Sequence, residues 1–302
     1  MEELSLEFKN SRKKVEKQVY QKFETMLTRK LNYLVDKKAD PNDIGGLLHA
    51  YQLTNNTDKA SKSKSKNQDG IIFYVPVWLT SKIDPTTGFV NLFNPKYASV
   101  DSSVEFFTRF DDIKYNENED YFEFCADYDK FPKCNSDFKK TWTICTFGER
   151  IEAFRNSEKN NEWDYKIVSL CEEFKSLFDS FGIDYRNNLK EQIVNQSGKD
   201  FFKKLTHLFS LTLQMRNSIS GQADVDYIIS PVKNACGEFY DSRKFNSSSH
   251  LPCGADANGA YNIAKKGLWA INQIKTAEAE TKVNIAISNA KWLQYAQTHN
   301  VF

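Results

Sequence analysis

Four groups of side chains in this sequence have types and spacing that suit chemistry. The first centres on Asp256, in the run Ala255-Asp256-Ala257-Asn258-Gly259-Ala260-Tyr261-Asn262-Ile263-Ala264. An acid followed by small residues and a helical pattern puts a carboxylate at a helix N-terminus, where free N–H groups stabilise an anion. Two readings are open there: a plain N-cap, or a metal ligand carried on a rigid element. The second group centres on Arg216, in Leu213-Gln214-Met215-Arg216-Asn217-Ser218, followed by Asp224, Asp226 and Phe239-Tyr240-Asp241-Ser242-Arg243. A guanidinium in this polar setting can clamp a phosphate through two parallel hydrogen bonds. It can equally form a structural ion pair with a nearby aspartate. In the third group, Tyr74 to Asn91, Pro85 and Gly88 build a turn that can set Ser81 and Lys82 beside a phosphate or simply connect two domains. The fourth candidate is Glu2, an acid with no chemistry of its own in isolation.

The elements that must position these groups are legible in part. From Arg12 on, Val15, Val19, Phe23, Met26/Leu27, Lys30/Leu31 and Leu34 recur at helical spacing, with Lys13, Lys14, Lys17, Lys22 and Arg29 opposite. Pro41 and Gly45-Gly46 end that helix. The run Lys59 to Lys66 alternates Lys with Ser and reads as a flexible exposed loop. Ile71–Val77 reads as a buried strand with Pro76 near its end. Strands are expected over Phe122–Cys125 and Thr141–Phe147, and helices over Val168–Phe181 and Phe201–Met215. A last helix starts at Asp256, with Ala260, Ala264, Leu268, Ile271 and Ile274 on one face.

Composition bounds the class. At 302 residues the chain has room for two modest domains. Hydrophobic and charged shares of 40% and 27% are those of a soluble globular protein. With 23 Phe and 14 Tyr, aromatic rings are plentiful as core or as base-stacking platforms. The net charge of +1 conceals a division: residues 1–100 carry +5, 101–200 carry −8 and 201–302 carry +4. Two basic ends around an acidic middle leave a nucleic-acid partner open. The six cysteines form no C-x-x-C pair and histidines number four, so no zinc site is expected. Without a signal peptide or membrane run, the thiols are expected to be reduced, buried and structural in a cytoplasmic protein with no membrane partner. The P-loop, dinucleotide-fold, zinc-protease and serine-hydrolase signatures do not occur.

Taken in order, several of these segments resemble the type V-A CRISPR RNA-guided DNA endonucleases. They are Lys-Val-Glu-Lys-Gln-Val-Tyr-Gln-Lys-Phe-Glu (14–24), Leu-Thr-Ser-Lys-Ile-Asp-Pro-Thr-Thr-Gly-Phe-Val-Asn (79–91), Leu-Gln-Met-Arg-Asn-Ser (213–218), Ile-Ser-Pro-Val (229–232), Tyr-Asp-Ser-Arg (240–243) and the run at 255–264. The resemblance spans essentially the whole chain. It implies a mixed α/β (α+β) architecture, in which a partial RNase H-like RuvC nuclease domain is interrupted by a domain called Nuc. Residues 1–78 would be the second RuvC segment, 79–253 the Nuc domain and 254–302 the third RuvC segment.

The resemblance also implies roles. Glu2 and Asp256 match two catalytic, metal-binding carboxylates, and Arg216 matches a Nuc arginine that serves target-strand cutting. Asp226 is a polar neighbour of that arginine, and Ser218 and Lys82 complete the substrate-positioning set. The implied cofactors are Mg²⁺ in a two-metal site and a guide CRISPR RNA; the implied partner is target DNA. The family's first RuvC carboxylate, its guide-binding lobe and its PAM-reading region have no match in these 302 residues. The chain is therefore expected to need an N-terminal complement to cut. The alternative is a catalytically incomplete fragment with residual nucleic-acid binding.

Overall fold

In the computed structural model, residues 18–19, 21–23, 26, 33–34, 36–44, 46–48, 51–52, 75–131, 139–219, 222–244, 250–277 and 286–298 are described. The chain forms two compact units. One draws on residues 1–78 and 265–287, the other on 79–264 and 288–302. Glu2 and the lysine-serine run at 59–66 lie outside the described residues.

In the first unit, residues 18–19, 21–23 and 26 are helical, and Val19, Phe23 and Met26 are exposed rather than packed. The helical reading fails at Leu34. Strand β1 (Tyr33–Leu34) pairs antiparallel with β2 (Tyr51–Gln52), so ladder pairing there overrides the helical spacing. The strand expected over Ile71–Val77 is, among the described residues, a single bridge at buried Val75. Pro76, which lacks an N–H, follows at once.

The second unit is a mixed α+β fold. Helix α1 (Val100–Thr108) begins with a capping box, in which Ser99 and Ser102 each satisfy the other's backbone. Strands β3 (Asp112–Asn116), β4 (Tyr121–Asp127) and β5 (Thr141–Cys145) form an antiparallel sheet in the order β3-β4-β5. β6 (Glu149–Asn156) and β7 (Glu162–Ser169) make a long hairpin. Helices α2 (Leu170–Ser180), α3 (Leu189–Val194) and α4 (Lys199–Thr212) follow. Val168 belongs to the hairpin, so α2 starts two residues later than expected. β8 (Arg216–Ile219), β9 (Gln222–Lys233) and β10 (Phe239–Asp241) form a second sheet in the order β10-β9-β8. Helices α5 (Ala255–Thr276) and α6 (Asn289–Thr298) close the sequence of elements.

The core explains the phenylalanine count. Phe122, Phe124 and Ala126 alternate along β4, facing Phe174 and Phe178 of α2 and Phe209 of α4. Phe209 alone meets the rings of Phe93, Phe106, Phe107, Phe110 and Phe124 at centroid distances of 4.8–6.3 Å. These aromatics are interior packing, not stacking platforms for bases. The cysteines divide. Cys145 is buried, and burial pushes its thiol up to about 12, but Cys236 and Cys253 are exposed. Both contradict the expectation of burial, because each sits in a turn rather than on a packed face.

The turn at Asp84–Phe89 is tied into this unit by buried hydrogen bonds. Asp84 is 1% exposed and spends both carboxylate oxygens on donors. One accepts the Thr86 N–H and hydroxyl, both at 2.8 Å; the other accepts the hydroxyls of Thr87 (2.7 Å) and Ser230 on β9 (2.5 Å). Gly88 (φ 71°) closes the turn onto the Asp84 carbonyl at 2.9 Å, and a Cβ there would strike Gln297 and Ala296 of α6 within 2.9 Å. We predict that Asp84→Ala lowers unfolding free energy by about 3–5 kcal/mol, since it strands buried hydroxyls and a backbone N–H. Urea unfolding checks this, and a loss below about 1 kcal/mol would count against such a role.

Candidate active site

The two ends of the site come from β8–β9 and from the start of α5. Leu213 to Ser218 splits its side chains between two faces as a strand must. Asn217 points inward and is fully buried. Its side chain accepts the Ile151 N–H at 2.9 Å and donates to the Met215 carbonyl at 3.1 Å, while Gln214 donates to the Ile151 carbonyl at 2.8 Å. These amides lock β8 to the β6 hairpin. Arg216 and Ser218 point the other way and are exposed. The ladder pairs Ser218 with Asp226 and Arg216 with Ile228, so Asp226 shares a ladder face with Arg216 as its diagonal neighbour.

Beneath that face the sheet is held by buried charge. Arg150 is fully buried and donates to the carbonyls of Phe147 and Glu149 at 3.0 Å and of Thr212 at 3.2 Å. Burial pulls its guanidinium below the usual range. The Tyr240 to Arg243 motif is structural as well. Tyr240 gives its hydroxyl to the Pro252 carbonyl, and burial pushes its pKa upward. Asp241 takes two parallel bonds from Arg243, at 3.0 and 2.9 Å, and Ser242 accepts the Ile228 N–H at 2.9 Å.

The start of α5 is fixed from two directions. Asn258 donates to the Ile83 carbonyl at 2.8 Å and Asn262 to the Thr80 carbonyl at 2.9 Å. Both asparagines are 1% exposed. They clamp the turn bearing Ser81 and exposed Lys82 against the helix. From the strand side, the Asp226 Oδ2 accepts the N–H of Ala255 at 3.1 Å and of Asp256 at 3.4 Å. Asp256 therefore does not cap its own helix, because Asp226 does so from 29 residues upstream. The Asp256 side chain is 84% exposed, and its Oδ1 accepts a bond from the Arg216 Nη2 at 3.0 Å.

This alters the expected pairing. Arg216 bonds to Asp256 across 40 residues of sequence, rather than to the nearby Asp226. The apolar stripe of α5 is not the side that the helix buries. Leu268, Ile271 and Ile274 are 55%, 38% and 49% exposed, while Asn258 and Asn262 are buried. Amides take the inward positions, where their N–H groups donate to the carbonyls of Ile83 and Thr80. The small-residue requirement lies at Gly254 rather than Gly259. A Cβ on Gly254 would sit 2.9 Å from the Asp226 Oδ2, whereas one on Gly259 would make ordinary contact with Ser81 at 3.7 Å.

A sequence-family model described as the nuclease domain NUC matches residues 83–244, more than half of the chain. The chain belongs to the NUC nuclease-domain family. The match contains Arg216, Ser218 and Asp226. Lys82 lies one residue outside it, and Asp256 lies beyond its far end, on the helix that meets the NUC domain through the Arg216 and Asp226 side chains. No helix among the described residues is long and apolar enough to cross a membrane.

The donor chemistry at Asp256 suits a hard divalent cation: an exposed carboxylate, rigidly based, with an oxygen facing a cation already. It offers one ligand. Among the described residues, the group of three ligating side chains close enough to share an ion is elsewhere, at Asp120, Cys171 and Glu172. There Asp120 is engaged by the Lys175 ammonium at 2.6 Å and the Tyr115 hydroxyl at 2.5 Å.

The exposure of the Arg216–Asp256 pair sets its energetic weight. Ion pairs this open to water contribute about 0–1 kcal/mol. Arg216→Ala and Asp256→Ala should each change unfolding free energy by less than about 1 kcal/mol. Thermal and urea melts check this; a loss of several kcal/mol in either variant would make the pair a structural strut.

Proposed function

We propose that this chain supplies the cutting portion of a type V-A CRISPR RNA-guided DNA endonuclease. The observation that carries the reading is the 3.0 Å bond from Arg216 of the NUC domain to Asp256 at the start of α5. It joins a phosphate-gripping side chain and a carboxylate, two kinds of group that phosphodiester hydrolysis needs, on one exposed surface. On this reading Asp256 and Glu2 are metal ligands, and further carboxylate comes from outside these 302 residues. The fold completed by those residues would be RNase H-like, with 1–78 and 254–302 as RuvC segments around a Nuc domain at 79–253. Bound Mg²⁺ would activate water and stabilise the leaving oxygen. Guide RNA pairing would supply sequence choice, through a lobe beyond this chain.

The chain's own residues then divide the work. Asp256 offers its carboxylate to the cation side of the site. Arg216, which stays protonated and cannot bind a metal, grips a phosphate of the strand being cut. Lys82 and Ser218 add a point charge and a hydroxyl at the border of the same surface. The basic residues at 201–302, net +4, accord with a polyanionic substrate.

The test uses the chain with an N-terminal complement, guide RNA, Mg²⁺ and matching DNA. The chain alone should give no guided cleavage. In the complemented enzyme, Asp256→Ala should abolish cutting while target binding persists, and Asp256→Asn should fail nearly as badly because an amide carries no charge. Near-normal rates in both variants would refute the assignment. A second expectation concerns Arg216. Arg216→Ala should slow target-strand cutting about 100-fold, through misplacement of the phosphate, and affect the non-target strand less. Arg216→Lys should rescue only partly, lacking the fork geometry. Strand-resolved kinetics decide, and equal slowing of both strands would discard the positioning role.

A further inference from the structure

We propose that Asp226 is a positioning residue that acts through Asp256, holding it from below rather than touching substrate itself. This rests on the reading of Asp256 as a site carboxylate. The geometry begins with α5. Its first N–H groups have no partner within the helix and need acceptors. The Asp226 Oδ2 accepts those of Ala255 and Asp256, at 3.1 and 3.4 Å. A negative charge at that end also complements the helix dipole. Because a strand carboxylate does this work, the Asp256 side chain is released from capping and stands 84% exposed.

Three further observations point the same way. First, the fit is close: a Cβ on Gly254 would lie 2.9 Å from the Asp226 Oδ2 and 3.1 Å from the Asp226 carbonyl oxygen. A side chain at 254 would therefore press on the Asp226 carboxylate. Second, Asp226 pairs with Ser218 and is diagonal to Arg216 on the same face of the ladder. One residue thus fixes both the backbone under Asp256 and its register against Arg216. Third, the Asp226 Oδ1 is buried with no hydrogen-bond partner among the described residues. A buried unpaired carboxylate oxygen is unfavourable, so what anchors this side chain is the pair of N–H groups that its Oδ2 accepts.

The chemistry predicts a specific pattern of rescue. Asn keeps a side-chain oxygen that can accept both N–H groups, and Ala keeps none. Gly254→Ala displaces the carboxylate without altering it. Amide hydrogen exchange is measured on the full chain, and single-turnover cleavage and DNA affinity on the complemented enzyme. In Asp226→Ala and Gly254→Ala, exchange at Ala255 and Asp256 should speed up about tenfold or more. Their cleavage rate constants should fall about 10- to 100-fold with DNA affinity unchanged. Asp226→Asn should retain amide protection and most of the rate.

Should Asp226→Asn keep its amides protected yet cut as slowly as Asp226→Ala, the charge itself would be needed and the proposal would be overturned. Normal cleavage in Gly254→Ala despite faster exchange would overturn it too. Asp256→Ala, run alongside, separates the two levels. If that variant cuts normally, the reading of the site has failed, whatever exchange reports about the hold of Asp226. If Asp226→Ala does not fold, the contrast between Asp226→Asn and Gly254→Ala still decides.

Discussion

A helix that begins inside a protein must hand its first N–H groups to an acceptor, and this requirement organises the site. Had Asp256 capped α5 itself, its carboxylate would be consumed at the helix end. Instead the acceptor comes from β9, and the helix start is gripped from the other side by Asn258 and Asn262 on the carbonyls of Ile83 and Thr80. Further bonds in the second unit hold β9 and that turn in place. Asp84 ties the turn to Ser230, Asn217 and Gln214 tie β8 to the hairpin, and Arg150 ties the hairpin to the end of α4. The NUC family match ends before α5, so the strand side and the helix side of the site come from different parts of the chain.

Local signals in the sequence told where elements begin but not what they meet. The acid-plus-small-residue run at 255–260 marks the start of α5, and the structure starts it at Ala255. The Arg216 motif was legible as polar, and its place on strand β8 was not. Neither was its partner, because a contact over 40 residues leaves no trace in local spacing. The same reasoning explains the apolar stripe of α5. Periodicity finds Leu268, Ile271 and Ile274, yet burial depends on which groups across the interface need donors, and there the answer was two asparagines. One signal was present and underused: Asn258 and Asn262 are four apart and so share a helix face.

The aromatic richness is a second case in which composition left two answers. Rings could have lined a strand-binding groove, but the largest set fills the space between one sheet and helices α1, α2 and α4. On the proposed function, these core rings are closed to bases and charge is what the site offers a polyanion. Arg216 and Lys82 are exposed side chains that carry such charge.

The Asp84 turn carries a consequence for the order in which the chain assembles. Its bonds to Thr86 and Thr87 close within a few residues, whereas the bond to Ser230 spans 146. On the ribosome, at about 5–20 residues per second, Ser230 follows Asp84 by roughly 7 to 30 s. The nascent turn can make its local half early, but its carboxylate cannot lose its water until β9 arrives to complete the set. Burial of that single charge is thus a late, long-range event. Chains that stop or stall before Ser230 carry the turn with an open acceptor.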